Sequence, residues 1–349
     1  MKLIALICFL LPFLNNDLYG CSAIIAAHNG SFVVGANLDG EGIWEGLVFI
    51  NKTGVEKQTD FEYDDGKTLQ WVSQYGSVTF NLLCREYAQY GMNTEGLIVT
   101  TVSCLNSCQP YQKDLPELNG NFWVQYILDK CKSVKEVKET FSKINVLAGN
   151  DRYMICDRFG GSIIIEFHDG VVFYENENMP IPILTNQLYQ KSIMHVANNT
   201  LPSSDKSFDF ITTKRFIRAN DELKPTEYTL GDNKISRMFG ILKKIQGYPE
   251  SIWRIVFDQQ EAKVYFMTHA NKSQRFINLD EIDFSCQSDK VMANIDAGEK
   301  GDFITELTKY SYPKNYELYQ TTMNNLGREI TNKAIERHIN YLDSFNCIN

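Results

Sequence analysis

The fold of this chain is decided near its start, by the stretch GCSAIIAAHNG at residues 20–30. Residues 22–27 and 32–34 are strongly apolar, as is typical of strands in a protein core. Asn29-Gly30 lies between them, and Asn-Gly is the strongest short signal for a β-hairpin turn. Such a hairpin brings Asp39, at the far end of its second strand, back beside Cys21. The stretch therefore places a thiol and a carboxylate together at one end of a strand pair.

The segment before this stretch has the pattern of an export signal. Lys2 precedes an apolar run over residues 3–14, and a short polar segment leads to the small residue Gly20. The run is shorter than the roughly 20 residues that span a bilayer, so a cleavable signal peptide is favoured over a retained anchor. We expect residues 1–20 to be removed. The mature protein is then secreted, periplasmic or lumenal, with no membrane span.

Composition and charge limit the remaining choices. The 349 residues are 44% hydrophobic and 12% aromatic, which is typical of a globular protein with a sizeable core. A net charge of −9 argues against nucleic acid as the main partner. No linker or repeat divides residues 21–349, which are predicted to form one domain. Cys104 and Cys108 are closely spaced, but no second Cys or His pair accompanies them, so no zinc site is predicted.

The predicted elements follow one another in blocks. Strands are followed by two helices, a second block of strands, two more helices, further strands and a helical tail. The predicted helices cover residues 122–129, 134–144, 212–223 and 234–245, and the tail covers residues 316–345. This order favours an α+β arrangement of antiparallel sheets covered by helices over alternating βαβ units.

A cysteine that becomes the first residue of a mature chain carries its own base. A thiol has an ordinary pKa near 8.5 and an α-amine about 7.7–8.0. The amine can take the thiol proton as the sulfur attacks a carbonyl, and can later return it to a leaving amine. Such a site also needs a carboxylate to orient the ammonium and donors for the oxyanion. Asp39 is the candidate carboxylate.

The residues resemble those of the choloylglycine hydrolase and penicillin V acylase family. These proteins are N-terminal-nucleophile cysteine hydrolases of linear amide C–N bonds. The resemblance begins at Cys21-Ser22 and at residues 35–39, and it covers most of residues 21 to about 290. Further similar segments follow in the family's order at residues 75–81, 91–97, 184–186, 215–218, 253–258 and 283–286. No resemblance is found over residues 290–349.

The resemblance implies a role for each of four residues. Cys21 is the expected nucleophile and Asp39 the carboxylate that positions its amine. Asn186 is expected to donate to the oxyanion, and Arg215 to support the charges around the site. The resemblance also implies a four-layer αββα sandwich with two antiparallel sheets, no metal and no organic cofactor, and it is compatible with a homo-oligomer.

Two positions depart from the family pattern. Ala36 occupies the place of an arginine in the bile-salt enzymes, and Ser103 that of an asparagine. Loss of the arginine removes a cation that would lower the pKa of the thiol, whereas Ser103 can still donate one hydrogen bond to a substrate or oxyanion. These departures bear on bile salts and penicillin V as substrates more than on amide hydrolysis.

The sequence therefore predicts an exported cysteine amidase. Its expected substrate is an N-acylated small molecule of the bile-salt, penicillin V or fatty-acyl amide type, cleaved through a thioester on Cys21. The alternative is an exported binding protein on the same fold, either catalytically inactive or lipid-anchored at Cys21, because a cysteine at a signal boundary is also a site of lipid attachment.

Overall fold

The computed structural model describes residues 20–40, 44–59, 68–104, 115–168, 170–203, 207–247 and 250–348. The signal-peptide prediction falls on residues 1–19, outside the described residues, and so does Cys108.

The predicted hairpin is confirmed and forms the centre of one large sheet. Asn29 and Gly30 both have positive φ, 49° and 77°, as a two-residue hairpin turn requires. Ser22 pairs with Asn37, which leaves Cys21 at the end of the pair near Asp39. Within the described residues this sheet has seven strands in the order β14-β1-β2-β15-β16-β17-β19. Their bounds are β1 Ser22–His28, β2 Ser31–Gly40, β14 Ile183–Thr185, β15 Glu250–Asp258, β16 Lys263–Thr268, β17 Arg275–Asn278 and β19 Gly301–Asp302.

A second large sheet packs against the first. In the described part of the chain it has nine strands, in the order β13-β12-β11-β8-β7-β6-β3-β18-β20. Their bounds are β3 Leu47–Asn51, β6 Ser77–Asn81, β7 Tyr90–Asn93, β8 Ile98–Ser103, β11 Asp151–Cys156, β12 Ser162–Phe167, β13 Val171–Glu175, β18 Val291–Asn294 and β20 Thr308–Lys309. The strand pairs of both sheets are antiparallel, as predicted, apart from a parallel edge pair between β17 and β19.

Short strands complete the β structure. β9 Glu117–Asn119 pairs in parallel with β10 Asn145–Leu147. β4 Val55–Gln58 pairs with β5 Gln70–Val72 and with β21 Asn346–Cys347, so the end of the chain is attached to its first third.

Helices cover the outer face of each sheet, which confirms the four-layer αββα architecture. Their bounds are α1 Gly120–Lys130, α2 Val134–Thr140, α3 Tyr189–Asn198, α4 Phe208–Leu223, α5 Lys234–Lys244, α6 Tyr312–Asn325 and α7 Asn332–Asp343. α3, α4 and α5 form the layer on the seven-stranded sheet, and α1 packs on the nine-stranded sheet together with α6 and α7. Helix α3 was not predicted. Its N-cap, Leu188, makes no side-chain capping bond, so the usual start signal is missing.

The core has two main parts. One lies between the sheets, where the rings of Phe80 and Phe266 meet edge to face at 5.3 Å. The other lies beneath α1, α6 and α7 and contains the fully buried Trp123. Both faces of the nine-stranded sheet are therefore buried. The strand ends that carry Cys21, Asp39 and Ser103 are held in place by the packing of the two sheets.

Candidate active site

Asp39 is buried at the end of β2 and accepts hydrogen bonds on both carboxylate oxygens. Ser251 donates its hydroxyl to Oδ1, and the backbone N–H of Gly247 donates to Oδ2 at 2.7 Å. Ser251 lies in β15, the strand next to β2, and Gly247 precedes that strand. Cys21 is also buried, with 4% of its surface exposed. The carboxylate is thus fixed in orientation beside the thiol.

Arg215, on the inner face of α4, joins the predicted site residues. Its Nη2 donates to the backbone carbonyls of Gly20 and Cys21, the latter at 2.9 Å, and lies 3.2 Å from Asp39 Oδ2. Its Nη1 donates to Asn186 Oδ1 at 3.1 Å. One planar guanidinium therefore connects the start of β1, the end of β2 and the segment after β14.

Asn186 and Ser103 continue this network into the second sheet. Asn186 Nδ2 donates to the backbone carbonyl of Ser103 at 2.8 Å. The hydroxyl of Ser103 donates to Asp151 Oδ1 at 3.1 Å. The structure thus connects Cys21, Asp39, Ser103, Asn186 and Arg215 in one chain of contacts, with Asp151 added at its end.

Burial controls the ionisation of these groups. Burial raises the pKa of the Cys21 thiol to about 12; Asp39 also raises it, while Arg215 and the backbone N–H of Asp39 oppose the shift. Burial likewise raises the pKa of Asp39, against Arg215, Ser251 and Gly247. Because Arg215 and Asp39 are buried together, each compensates the other's charge. With residue 20 attached, the thiol stays protonated at neutral pH.

The network faces a cavity of about 190 Å³, which Cys21, Asp39, Ser103 and Asp151 line. Its apolar walls include Leu38 and Leu82 from the body of the protein, and Met323 and Leu326 from α6 and its C-cap. Residues 290–349 showed no resemblance in sequence, yet they supply part of the cavity wall. The cavity can hold an apolar group against the thiol.

Three groups of the site were not predicted from sequence, namely Asp151, Gly247 and Ser251. Ser251 lies 212 residues from Asp39, and no local pattern relates the two. Asp151 stands at the first position of a strand, where a charged residue usually faces solvent. Only the pairing of β8 with β11, which sets Asp151 opposite Ser103, brings it to the cavity.

Ala36, where the resemblance expects an arginine, is a packing residue. It is fully buried on β2, opposite Ala23 of β1 and Ile255 of β15. Arg215, which comes from a different layer, is the cation in contact with Asp39.

Metal-binding and membrane-spanning features are both absent from the described residues. No group of three or more His, Cys, Asp or Glu side chains is arranged there to hold a metal ion. None of the helices there is long and apolar enough to cross a membrane.

Two packed sheets between helical layers, with a buried cysteine at the start of the first strand, define the N-terminal-nucleophile hydrolase fold. The model of the acyl-coenzyme A:6-aminopenicillanic acid acyl-transferase family matches residues 85–273, more than half of the chain, and the chain belongs to this family.

Solved structures share the fold. Penicillin V acylase from Agrobacterium tumefaciens is 18% identical, with a TM-score of 0.68 over 83% of this chain and 98% of that one. A conjugated bile acid hydrolase from Clostridium perfringens is 13% identical, with a TM-score of 0.60 over 80% and 98%. These neighbours confirm the fold that the sequence predicted.

A curated relative is an uncharacterised protein of Paramecium bursaria Chlorella virus 1. It is 25% identical over 227 residues, which are 57% of this chain and 72% of the relative. Family and fold together make the chain an enzyme of the acylase and amidase type.

Proposed function

We propose that this protein is an exported cysteine amidase that hydrolyses the linear C–N amide bond of an N-acylated small molecule. The reaction proceeds through a thioester on Cys21 after residues 1–20 are removed. The observation that carries the proposal is the network in which Arg215 joins Cys21, Asp39 and Asn186 at the cavity.

The raised pKa of the Cys21 thiol is the reason why residues 1–20 have to be removed before catalysis. A thiol with a pKa of about 12 is a weak nucleophile at neutral pH and needs a base close by. While residue 20 is attached, the nitrogen of Cys21 is a peptide nitrogen and cannot act as one. Removing residues 1–20 converts it into an α-amine with an ordinary pKa of about 7.7–8.0. Asp39 then offers a carboxylate that orients the ammonium.

The steps follow from this arrangement. The α-amine takes the thiol proton, the sulfur bonds to the acyl carbon, and the side-chain amide of Asn186 donates to the oxyanion. The C–N bond breaks, and the leaving amine receives the proton. Water then attacks the thioester and releases the carboxylic acid and the free thiol. The apolar cavity walls, including Leu82 and Met323, hold the acyl group.

The test uses chains that begin at Cys21, incubated with N-acyl amides of graded acyl length. Mass spectrometry should show an acyl adduct on Cys21, and Cys21→Ala and Cys21→Ser should abolish turnover without loss of folding. Cys131→Ala is the matched control, because Cys131 is buried and free but does not line the cavity. Turnover retained in both Cys21 variants would refute the mechanism. So would full activity in a chain with one extra residue before Cys21.

The rival function is an exported binding protein that is inactive or lipid-anchored at Cys21. Intact mass of the exported protein identifies the lipid-anchored form, in which Cys21 carries a diacylglyceryl group, whereas the enzyme has a free N-terminal Cys21. An inactive binding protein with a free Cys21 is identified by the absence of turnover. The family's description also favours a variant of the same chemistry, in which an amine replaces water as acceptor of the acyl group. Adding 6-aminopenicillanic acid as acceptor distinguishes them, because transfer yields a new amide and hydrolysis yields only the acid.

A further inference from the structure

A second carboxyl group, Asp151, lies in the same cavity as the thiol. It begins β11 opposite Ser103, the last residue of β8, and it lines the cavity together with Cys21. It lies near enough to Cys21 to raise the pKa of the thiol. A substrate amide placed over the sulfur therefore comes close to this carboxylate.

Asp151 and Asp39 differ in how they are bonded. Asp39 is paired with Arg215 and accepts hydrogen bonds from the hydroxyl of Ser251 and the N–H of Gly247. Among the described residues, the carboxylate of Asp151 receives a single hydrogen bond, from the hydroxyl of Ser103 to Oδ1. Asp151 is half-buried at the cavity wall. The other oxygen, Oδ2, can accept a donor from a ligand.

The lining of the cavity shows which part of a substrate meets Asp151. The apolar walls come from β2, the Leu82-Leu83 segment, the start of β15 and α6, and they suit an acyl group. Most of the polar lining comes from the chain between the end of β8 and the start of β11, which contributes Ser103, Asn119, Asn121, Asn150 and Asp151 beside the apolar Leu147 and Ala148. The other polar lining residues are Asp39, Gln89, Thr322 and Arg328. With the acyl group on the apolar side, the amine side of the amide faces the polar lining.

Arg152 lowers the pKa of Asp151, but no ion pair to Asp151 is formed by the described cations near it. Arg215 is bonded to Asp39 and Asn186, and Arg152 points its guanidinium at Glu166 and the carbonyl of Thr185. Arg328 also lines the cavity, but it follows α6, in the part of the lining that belongs to the apolar wall. The charge of Asp39 is compensated by Arg215, so an anionic group next to the scissile bond would meet the carboxylate of Asp151.

We propose that Asp151 determines specificity for the amine side of the substrate. Its carboxylate accepts a hydrogen bond from an uncharged donor, such as an amide N–H or a hydroxyl, and it disfavours a carboxylate at the same place. The inference rests on the proposed function and names its substrate class: N-acyl amides whose amine portion is uncharged and carries a hydrogen-bond donor.

The titration of Asp151 supplies a second readout. Burial raises its pKa to about 6, while the Ser103 hydroxyl and Arg152 lower it. The other groups that face it are Cys21, Tyr90 and Tyr153, whose own pKa values it raises. Above about pH 6 the group is a carboxylate and selects against anions. Below that pH it is protonated, so the selectivity should decline.

The experiment compares N-lauroylglycinamide with N-lauroylglycine, which have the same shape but differ in donor and charge. The wild-type enzyme should show kcat/KM at least tenfold higher for the glycinamide at pH 7.5, and the ratio should shrink toward pH 5. Asp151→Asn should bring the ratio below about threefold at both pH values. Glu177→Gln, at an exposed carboxylate outside the cavity, is the control and should leave the ratio unchanged.

Several outcomes would overturn the inference. A ratio near one in the wild-type enzyme, or a tenfold ratio that persists in Asp151→Asn, removes Asp151 from specificity. If the ratio changes in Arg328→Gln but not in Asp151→Asn, the discrimination between the two substrates is due to Arg328. These results differ from failure of the proposed function, in which neither amide is cleaved at a rate that depends on Cys21.

Discussion

Arg215 is the single side chain on which the candidate site most depends. Its planar guanidinium has N–H donors in a fixed fork: Nε donates to the carbonyl of Ile245 after α5, Nη1 to Asn186, and Nη2 to the two backbone carbonyls that precede β1. Nη2 also lies 3.2 Å from Asp39 Oδ2. Lysine has the same charge but a single ammonium, so it cannot hold these groups together.

We expect Arg215→Lys to lower kcat/KM for a cleaved N-acyl amide about 100-fold or more, because Asp39 and Asn186 lose their common anchor. Steady-state kinetics with a thermal melt checks this. Arg218→Lys on the same helix is the matched control, since Arg218 bonds the carbonyl of Lys244 and does not line the cavity. Equal effects of the two substitutions would show that the geometry of Arg215 is unimportant.

Asp151 makes a pH-dependent contribution to stability that can be measured separately from catalysis. Its pKa rises from 3.8 to about 6 on folding, so the folded chain holds the proton more tightly than the unfolded chain. The stabilisation is complete below pH 3.8 and is lost as the pH rises through 6. Asparagine has no such dependence.

The free energy of unfolding of Asp151→Asn relative to wild type should therefore increase by about 1–3 kcal/mol between pH 4 and pH 7. Urea unfolding at the two pH values measures it. Asp209→Asn, at an exposed carboxylate in the first turn of α4, is the control. A difference that is constant or falls with pH would contradict the assignment.

At the scale of elements, the contact between β2 and α5 holds in place the segment that bonds the site residues. Gly35 on β2 has no side chain, and a Cβ there would lie 2.5 Å from Met238 Sδ of α5. Asn37 on the same strand donates to the carbonyl of Leu242 at 2.8 Å. The end of α5 leads directly to Ile245 and Gly247, which bond Arg215 and Asp39. A displaced α5 would therefore disturb both Arg215 and Asp39.

We expect Gly35→Ala to destabilise the protein by about 1–3 kcal/mol, because overpacking must move the helix or the methionine. Gly240→Ala, on the exposed face of the same helix with open space around it, should instead stabilise by about 0.5–1 kcal/mol through helix propensity. Thermal and urea unfolding of both variants gives the comparison. Destabilisation by both substitutions would show that α5 is sensitive to any change and not to its contact with β2.

At the scale of the whole molecule, a disulfide fastens the C-terminal helices to the body. Cys286 and Cys347 are bonded across 61 residues, with their Cα atoms 5.7 Å apart. The segment between them contains α6 and α7, and Thr322 of α6 donates to the carbonyl of Leu82. Since α6 forms part of the cavity wall, the bond constrains the substrate site as well as the end of the chain.

Cys347→Ser should lower the free energy of unfolding by about 2–4 kcal/mol, because the unfolded chain gains the freedom of a long open loop. Urea unfolding with and without dithiothreitol measures this. Reduction should destabilise the wild type by a similar amount and leave Cys347→Ser unchanged, so a variant that responds to the reductant would contradict the assignment. KM for N-acyl amides should rise in both cases.

The sequence by itself determined the hairpin, the α+β class, most helices and the five side chains Cys21, Asp39, Ser103, Asn186 and Arg215 that meet in the network, three of which line the cavity. These features are carried by local signals, such as Asn29-Gly30 and helical periodicity, or by short segments whose order resembles a family. The disulfide was not determined, because cysteine spacing does not define pairing.

Only the tertiary structure brought Ser251 and Gly247 to Asp39, Asp151 to Ser103, and α6 to the cavity. Each of these contacts joins residues that are distant along the chain, and it exists because two strands pair or a helix docks on a sheet. Local side-chain pattern fixes what an element is. Packing between elements determines which polar side chains are buried next to one another. It therefore determines which charged groups lie in the site.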